Sequence, residues 1–343
     1  MHFSDVAVET IVDYLPPVAL SSDEIEARLA PLYERLHLPT GRLELMTGIR
    51  TRRFWEEPMS ASGASTLAGK RAMERSGIAP EKIDLLVHCA VCRDRLEPAT
   101  ATTVHAALGL PSHTQVLDVS NACLGFLNGM ILAAGLIQGG QIQAALLVSG
   151  ENGKPLLDRT LQTLLHGELT RRSVKPYFAN LTIGAGAAAA VLCHASLAPA
   201  DAPRMQSAIA ATDTRHNDLC HGDSSGDGLE MLTESELLLE AGIDLATRAW
   251  ELFLGDSGWT RDAVDRVICH QVGRVHQRRL LEAIGVPESK DSVTYPELGN
   301  IGSAALPVTL AQALHKGIVQ SGDRVALLGI GSGLSSIMVA LQA

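Results

Sequence analysis

Short runs of aliphatic residues alternate along this chain with longer stretches in which apolar positions recur at helical spacing. The runs DLLVHCAV (residues 84–91) and AALLVSG (residues 144–150) carry few polar side chains, as is typical of strands covered on both faces. Because such strands alternate with helical stretches, the pattern predicts crossover helices and mainly parallel sheets. We therefore expect an α/β fold.

Two further stretches are apolar on every face. They are CLGFLNGMILAAGLIQGG (residues 123–140) and SAALPVTLAQALHKG (residues 303–317). A helix without a polar face belongs in the interior of a molecule. We therefore expect both helices to lie between two sheets. The predicted order of layers is helices, sheet, paired central helices, sheet and helices.

The chain also resembles itself at a constant spacing. SGIAPEKIDLLVHCAV begins at residue 76 and the similar SGWTRDAVDRVICHQV at residue 257, while QIQAALLVSG begins at 141 and GDRVALLGIG at 322. Both offsets, 257 minus 76 and 322 minus 141, are 181 residues. The repeat predicts two pseudo-symmetric halves, residues 1–195 and 196–343. Two segments fall outside the repeat, namely an amphipathic insertion at about 155–180 and a Gly/Asp/Ser-rich segment at 215–233. Each of them can be either solvated surface or a cap over a site.

The composition fits a large aliphatic core. Of the 343 residues, 46% are hydrophobic, 3% aromatic and 19% charged, which excludes global disorder. The net charge is −10 and no long basic run occurs, so we expect no nucleic-acid-binding surface. The longest apolar stretch, residues 124–137, is interrupted by Asn128 and is shorter than the ~18 residues that a membrane span needs. We therefore expect no membrane span.

The N-terminal segment and the cysteines favour a cytoplasmic protein. Asp5 and Glu9 lie near the N-terminus and no basic region precedes them, so we expect no signal peptide. The six cysteines lie mostly in apolar runs, which suits reduced thiols. Cys89 and Cys92 form a CxxC pair, but no second pair or nearby histidine completes a zinc site. We expect no bound metal.

Cys123 is the first candidate for chemistry. Ligands of open α/β sheets bind beyond the carboxyl ends of the strands, and Cys123 follows a predicted strand at the first turn of a central helix. The helix dipole favours a thiolate there and predicts a lowered pKa for Cys123. The alternative is a small buried hydrophobic residue, as most cysteines are.

His270 and Asn300 are the candidates in the second half. His270 ends the strand DRVICHQ, 181 residues after Cys89, and Asn300 precedes the second central helix in a position similar to that of Cys123. Each has a structural alternative, since His270 can be a hydrogen-bonded core histidine and Asn300 a turn or N-cap residue. The Gly-rich segment at 327–336 predicts a tight hairpin, whose backbone N–H can form an oxyanion hole with that of Cys123.

Six segments together resemble the thiolase-superfamily condensing enzymes, nearest the ketoacyl-synthase III branch. They are TGIRTRR (47–53), DVSNACLGFLNGM (118–130), TIGAGAAAAVL (182–192), ICHQ (268–271), LGNIGSAALP (298–307) and ALLGIGSGLS (326–335). The resemblance implies a thiolase-like five-layered αβαβα fold and a homodimer. It also implies Cys123 as the acyl acceptor and His270 with Asn300 as activators of the second substrate. The backbone N–H groups of Cys123 and Gly333 are implied as the oxyanion hole.

A seventh segment, CRDRLEPATA (92–101), resembles the long-chain, head-to-head acyl-condensing enzymes of bacterial olefin biosynthesis, and HQVGRVH (270–276) fits the same subgroup. The resemblance implies that Glu97 enters the active site of the partner subunit, at a place where synthases that use malonyl carrier protein carry an aromatic residue. The alternative for Glu97 is a solvated residue before Pro98 at a helix start.

The reaction that the resemblance implies is acyl transfer followed by carbon–carbon bond formation. Cys123 takes the acyl group of one thioester, delivered by coenzyme A or by an acyl carrier protein, and a second acyl thioester adds to it to give a β-keto product. The chemistry needs neither a metal nor a redox cofactor, since the coenzyme A thioester is a substrate.

Three other functions stay open from the sequence. A decarboxylative 3-oxoacyl-[acyl-carrier-protein] synthase III would use the same residues with a malonyl carrier protein. A Cys-His-Asn peptidase uses the same residue types, although it would lack the internal repeat. A binding module or non-catalytic subunit of the same fold would keep the architecture without the reaction.

Overall fold

The computed structural model describes residues 1–56, 58–225 and 228–343. The strands are, in chain order, β1 (His2–Tyr14), β2 (Val18–Ser21), β3 (Thr51–Phe54), β4 (Leu85–Cys89), β5 (Gln115–Val119), β6 (Ala144–Asn152), β7 (Ala185–His194), β8 (Arg204–Thr212), β9 (Cys220–Ser225), β10 (Gly228–Thr233), β11 (Arg266–Cys269), β12 (Arg324–Gly331) and β13 (Ser335–Gln342). The helices are α1 (Ser22–Arg28), α2 (Ala30–Leu36), α3 (Arg42–Thr47), α4 (Ala61–Arg75), α5 (Thr100–Leu108), α6 (Gly125–Gln138), α7 (Lys154–His166), α8 (Ser235–Ser257), α9 (Arg274–Ile284), α10 (Tyr295–Leu298) and α11 (Ala305–His315).

Nine of these strands form one sheet, in the order β11-β12-β13-β8-β1-β7-β6-β4-β5. Three neighbouring pairs are parallel, namely β4–β5, β4–β6 and β11–β12. The other five pairs are antiparallel, so the prediction of mainly parallel sheets is wrong. The physical reason lies in how the strands are connected. Parallel strands need a crossover connection such as a helix, whereas β12 is joined directly to β13 and the two run antiparallel.

The pairing of β1 with β8 joins the strands before residue 195 (the first half) to those after it (the second half). Val6 pairs with Met205 and Ala7 with Arg204, which makes one hydrogen-bonded sheet of the two predicted ones. The first strands of the two halves, β1 and β8, are therefore neighbours in the middle of the sheet. The halves therefore meet along a backbone ladder as well as through side chains.

The central helices α6 and α11 lie between the two halves of this sheet, as predicted. Phe126 of α6 and Val308 of α11 share one apolar cluster with Leu147 of β6 and Val339 of β13. Leu146, the neighbour of Leu147, points to the opposite face and packs under α4 and α5. Helices α8 and α9 cover the outer face of the second half. The five-layered αβαβα architecture is confirmed.

The insertion at about 155–180 folds as α7 and a following short turn of helix. Leu157 and Leu161 of α7 pack with Leu29 and Leu32 of the N-terminal helices in a separate apolar cluster. The side-chain amide of Asn180 donates to the carbonyl oxygen of Met231 at 2.9 Å, which fastens the insertion to β10. Residues 226 and 227 of the segment 215–233 lie outside the described residues. Among the helices that the structure describes, none combines the length and hydropathy of a membrane span.

We expect the outer layer of the second half to depend on Trp250, which is fully buried and stacks on Phe253 with ring centroids 5.3 Å apart. Trp250→Ala should lower the free energy of unfolding by about 3–5 kcal/mol in urea denaturation, because it leaves a cavity. Trp250→Phe should cost less, because it keeps a ring and removes an indole N–H that has no partner among the described residues. Equal losses in the two variants would contradict this packing role.

Candidate active site

Cys123 lies on a turn between β5 and α6, and α6 begins two residues later at Gly125. The residue before it, Ala122, has a φ of 44°, in the left-handed region that residues other than glycine rarely adopt. The hydroxyl of Ser303 donates to the carbonyl oxygen of Ala122 at 2.7 Å, and the two residues are 181 positions apart, which is the offset of the repeat. A contact between the two halves thus holds the strained turn that presents Cys123.

The Cys123 thiol is less acidic than the sequence predicts. Burial, together with the smaller effects of the Glu151 charge and of Cys220, raises the pKa of Cys123 to about 12. The expectation that the helix dipole lowers this pKa is therefore wrong, because loss of solvation opposes a charged sulfur more strongly than the helix terminus favours it. Without substrate, Cys123 is a thiol at neutral pH.

His270 directly follows β11 and is held against the neighbouring strand. Its backbone N–H donates to the carbonyl oxygen of Leu328 in β12 at 2.9 Å. Burial lowers the pKa of His270 to about 4, and the adjacent His276 of α9 contributes to the shift. The imidazole is therefore neutral at physiological pH. Its Nδ1 atom is buried with no partner in the described part of the chain, which favours the tautomer that carries the proton on Nε2.

Asn300 is fixed through its backbone on both sides. Its N–H donates to the carbonyl oxygen of Thr182 at 2.9 Å, and its own carbonyl accepts from the N–H of Gly184 at 2.9 Å. The side-chain oxygen accepts from the N–H of Gly302 at 3.0 Å, which leaves the amide NH₂ group to donate elsewhere. Gly299 has a φ of 67°, and a Cβ atom there would lie 2.4 Å from the oxygen of Thr182, so only glycine fits before Asn300.

Backbone contacts bring the three segments together. A Cβ atom at Gly331, where β12 ends, would lie 3.1 Å from the side chain of Leu124, so the end of β12 contacts the Cys123 turn. The side-chain oxygen of Gln271 accepts from the N–H groups of Thr294 (2.8 Å) and Tyr295 (3.1 Å), on the path to Asn300. The turn with Cys123, the strand end with His270 and the segment with Asn300 are therefore neighbours around one centre.

Gly333 lies in the hairpin turn between β12 and β13, with a φ of 121°. Gly331, two residues earlier at the end of β12, approaches Ala122, since a Cβ atom there would be 3.5 Å from Cβ of Ala122. The predicted tight hairpin is thus present next to the Cys123 turn.

Glu97 lies at the surface of the chain, apart from these buried groups. The preceding Leu96 is 89% exposed, which is unusual for a leucine. The N–H groups of Thr100 and Ala101 donate to the carboxylate of Asp118 in β5 at 2.7 and 2.9 Å, which fastens this loop to β5. Within the described residues β5 pairs with β4 alone and forms an open edge of the sheet. In one copy of the chain Glu97 is therefore exposed and is not among the buried groups described above.

The sequence analysis missed two site residues. The first is Gln271, which the sequence segment ICHQ contains but to which no role was assigned. Its side chain binds the segment before Asn300 through two backbone N–H groups. Glu151 is the last residue but one of β6 and is buried near the Cys123 turn. A carboxylate directly after a buried strand is the signal that points to Glu151. In the described ranges, no group of three or more histidine, cysteine or carboxylate side chains is placed to hold a metal.

Three family profiles match the chain, and together they span both halves. "Thiolase, N-terminal domain" matches residues 45–155. "3-Oxoacyl-[acyl-carrier-protein (ACP)] synthase III" matches residues 117–212, and its C-terminal profile matches residues 254–343. Cys123, His270 and Asn300 all lie in matched segments.

The chain is 38% identical over 350 aligned residues to the acyl-CoA:acyl-CoA alkyltransferase of Shewanella oneidensis, and the match covers 100% of both chains. This chain belongs to that alkyltransferase family. It is an acyltransferase-type condensing enzyme, and the predicted relationship to the thiolase superfamily is confirmed. The chain is also 29% identical over 304 residues to the β-ketoacyl-[acyl-carrier-protein] synthase III 1 of Bacillus cereus, over 86% of this chain and 87% of that protein.

A solved structure of the same kind matches the fold. OleA of Xanthomonas campestris, with serine in place of a cysteine and with bound lauric acid and lauroyl-CoA, superimposes with a TM-score of 0.95 at 37% identity. The match covers 99% of this chain and 100% of that chain. Other structures of that OleA carry substitutions of a histidine or of a glutamate.

We expect the stability of this alkyltransferase-family enzyme to depend on pH through its buried histidines. The pKa values of His270 and His276 fall to about 4 in the folded chain, against 6.5 ordinarily, mainly through burial. The unfolded chain therefore binds more protons between these values. The contribution of these two histidines to the free energy of unfolding should be fully retained above about pH 6.5 and decrease as the pH falls towards 4. The buried carboxyl of Asp291, whose pKa burial raises to about 7, contributes with the opposite sign.

Urea denaturation between pH 7.5 and 4 measures this dependence. His270→Asn should weaken the pH slope, because one group that gains a proton on unfolding is gone. The matched control is His113→Asn, at an exposed position, which should keep the wild-type slope. An unchanged slope in His270→Asn would contradict the neutral, buried state of His270.

Proposed function

We propose that this enzyme joins two fatty acyl-CoA molecules by a Claisen condensation, through an acyl-Cys123 intermediate, into a β-keto product. The observation that carries the proposal is the meeting of the Cys123 turn, the His270 strand end and the Asn300 segment at one centre. Membership of the acyl-CoA:acyl-CoA alkyltransferase family supplies the substrate class. The proposed substrates are coenzyme A thioesters, and all six cysteines of the enzyme are free thiols. Both features favour the cytoplasm as the location of the enzyme.

In the first step, the sulfur of Cys123 attacks the thioester carbonyl of one acyl-CoA. The carbon–sulfur bond to coenzyme A breaks, and the thiol proton ends on the departing coenzyme A sulfur. The backbone N–H groups of Cys123 and Gly333 would stabilise the oxyanion of the tetrahedral intermediate. Because the free thiol is a weak acid, deprotonation accompanies attack instead of preceding it.

In the second step, the carbonyl oxygen of another acyl-CoA accepts hydrogen bonds from Nε2–H of His270 and from the amide NH₂ of Asn300. These donors stabilise the enolate that forms when a base removes the α-proton. The enolate carbon attacks the acyl-Cys123 carbonyl, a carbon–carbon bond forms and the bond to sulfur breaks. The Cys123 sulfur then takes up the proton that the base removed, which restores the thiol. Neutral His270 suits this role, since its N–H donates without carrying a charge into a dry site.

Glu97 from a second copy of the chain is the base in this proposal. The open edge of β5 exposes backbone groups that proteins normally cover, and a second β5 strand would cover them in a homodimer. The loop with Leu96 and Glu97 is fastened to that same edge through Asp118. A dimer formed along β5 would therefore carry each Glu97 towards the other copy and bury the exposed Leu96.

The first test separates acylation from condensation. Wild-type protein mixed with lauroyl-CoA alone should show one acyl adduct by intact-mass analysis, and Cys123→Ser should abolish it. His270→Ala should still form the adduct in a single turnover but yield little β-keto product, because His270 acts on the second substrate. An adduct on Cys89 or Cys269, or equal large losses of both steps, would overturn these assignments. Circular dichroism checks that each variant is folded.

The second test concerns Glu97 and decarboxylation. Glu97→Gln should leave acylation intact and slow condensation by ~10²-fold, the scale of general-base effects. Exchange of the α-proton of the second acyl group in deuterated water should fall with it. If the wild-type protein forms product only with a malonyl thioester and releases carbon dioxide, it is a synthase III and this proposal is wrong.

Mixed dimers decide whether Glu97 acts in the other subunit. Co-expressed Cys123→Ser and Glu97→Gln chains form heterodimers in which one site combines an intact Cys123 with the intact Glu97 of the other copy. Activity far above that of either homodimer is expected. Heterodimers as inactive as the parent variants would place Glu97 in its own chain's site.

A further inference from the structure

A buried carboxylate that the proposed mechanism does not use lies beside Cys123. Glu151 at the end of β6 is 4% exposed. Its carboxylate accepts hydrogen bonds from the backbone N–H groups of Val91 (2.9 Å), Cys92 (3.1 Å) and Ser303 (3.0 Å). The thiol of Cys92 donates to the carbonyl oxygen of the adjacent Asn152 at 3.7 Å. A buried carboxylate without partners would destabilise the fold, so these donors indicate that the surrounding segments are arranged to bind Glu151.

The partners of Glu151 belong to two functional segments. Val91 and Cys92 begin the loop that carries Glu97. Ser303 follows Asn300 by three residues, and its hydroxyl binds the carbonyl of Ala122 beside Cys123. One carboxylate therefore connects the loop of Glu97 with the segment of Asn300, and through Ser303 it reaches the turn of Cys123.

Gly302 shows how closely the Asn300 segment approaches this carboxylate. Its φ is 57°, and a Cβ atom there would lie 2.8 Å from Oε1 of Glu151. Glycine is the residue that satisfies both the backbone conformation and the approach. The side-chain oxygen of Asn300 accepts from the N–H of this same Gly302 at 3.0 Å. The position of the Asn300 side chain is therefore coupled to Glu151 through one residue.

The charge of Glu151 also acts on the neighbouring thiols. Burial raises the pKa of Glu151 above its ordinary value, and its N–H donors offset only part of this rise by favouring the ionised form. The titratable groups that face it are Cys92 and Cys123, and Cys220 faces Cys123 in turn. A negative charge at Glu151 opposes ionisation of both neighbouring thiols, so it adds to burial, which is the main cause that keeps Cys123 protonated in the free enzyme.

We propose that Glu151 is a positioning residue for the condensation step, one that fixes the Asn300 segment and the Glu97 loop relative to Cys123. The proposal rests on the proposed function, because it assigns Glu151 a role in the same site. Glu151 touches neither substrate in this scheme. It acts through Gly302, Ser303 and the backbone of residues 91 and 92, while its charge adds to the burial that keeps the Cys123 thiol unreactive until an acyl thioester arrives.

The test compares Glu151→Gln with Glu151→Asp and with a matched control. The control is Glu26→Gln, at another buried carboxylate (5% exposed) that accepts the N–H of Leu43 at 2.7 Å, in the cluster under α1 and α3. Two quantities are measured for each protein. One is the rate of Cys123 alkylation by iodoacetamide at fixed pH, followed by intact mass. The other is the ratio of condensation to single-turnover acylation with lauroyl-CoA.

Glu151→Gln should make alkylation of Cys123 faster by about tenfold, because loss of one adjacent charge lowers a pKa by roughly one unit or more. Condensation should become slower by about tenfold or more relative to acylation, because the amide NH₂ cannot accept from the N–H of Cys92. Glu151→Asp keeps the charge with a shorter reach, so alkylation should stay slow while condensation falls. Glu26→Gln should change neither quantity.

Wild-type alkylation and condensation rates in Glu151→Gln would overturn the proposal, as would equal changes in Glu26→Gln. If Glu151→Gln does not fold, Glu151→Asp decides alone, and wild-type values for both quantities in that variant would also overturn it. Failure of the proposed function is a separate result. In that case the wild-type protein forms no β-keto product from lauroyl-CoA, whereas the alkylation difference between Glu151→Gln and Glu26→Gln persists.

Discussion

The structure depends on two helices that have no polar face. Helices α6 and α11 can be buried only if apolar surface covers them on every side, so a sheet must lie above and below the pair. Each central helix begins close to the carboxyl ends of strands from its own half. Both helix starts are thereby brought to the middle of the molecule, where the turn of Cys123 and the segment of Asn300 are joined by the bond from Ser303 to Ala122.

Polar contacts inside this apolar frame determine how the centre is shaped. The bond from Ser303 to Ala122 holds a strained backbone turn, and Gln271 fixes the path to Asn300 through two N–H groups. Glu151 connects the remaining segments. Because each of these groups is buried, a lost partner would leave an unsatisfied polar atom and destabilise the arrangement. The same contacts that stabilise the core therefore set the geometry of the site.

Burial also determines which protonation states the site holds. It raises the pKa of the Cys123 thiol to about 12 and lowers that of His270 to about 4, so both groups are neutral at physiological pH. A neutral thiol and a neutral imidazole suit thioester substrates, whose reacting carbonyl carries no charge. Charge develops only during the reaction, on oxyanion and enolate oxygens, and it is there that fixed N–H donors stabilise it most effectively.

The sequence by itself determined the α/β class, the five layers, the internal repeat and the candidates Cys123, His270 and Asn300. These follow from local signals, since strand ends and the starts of apolar helices can be read within a few residues. Tertiary structure alone decided the antiparallel pairs, the ladder between β1 and β8, the exposed edge beside Glu97, the weak acidity of Cys123 and the contacts of Glu151. The physical reason is that sheet pairing, desolvation and charge are set by groups distant in the chain: Glu151 lies 152 residues from Ser303, whose N–H it accepts.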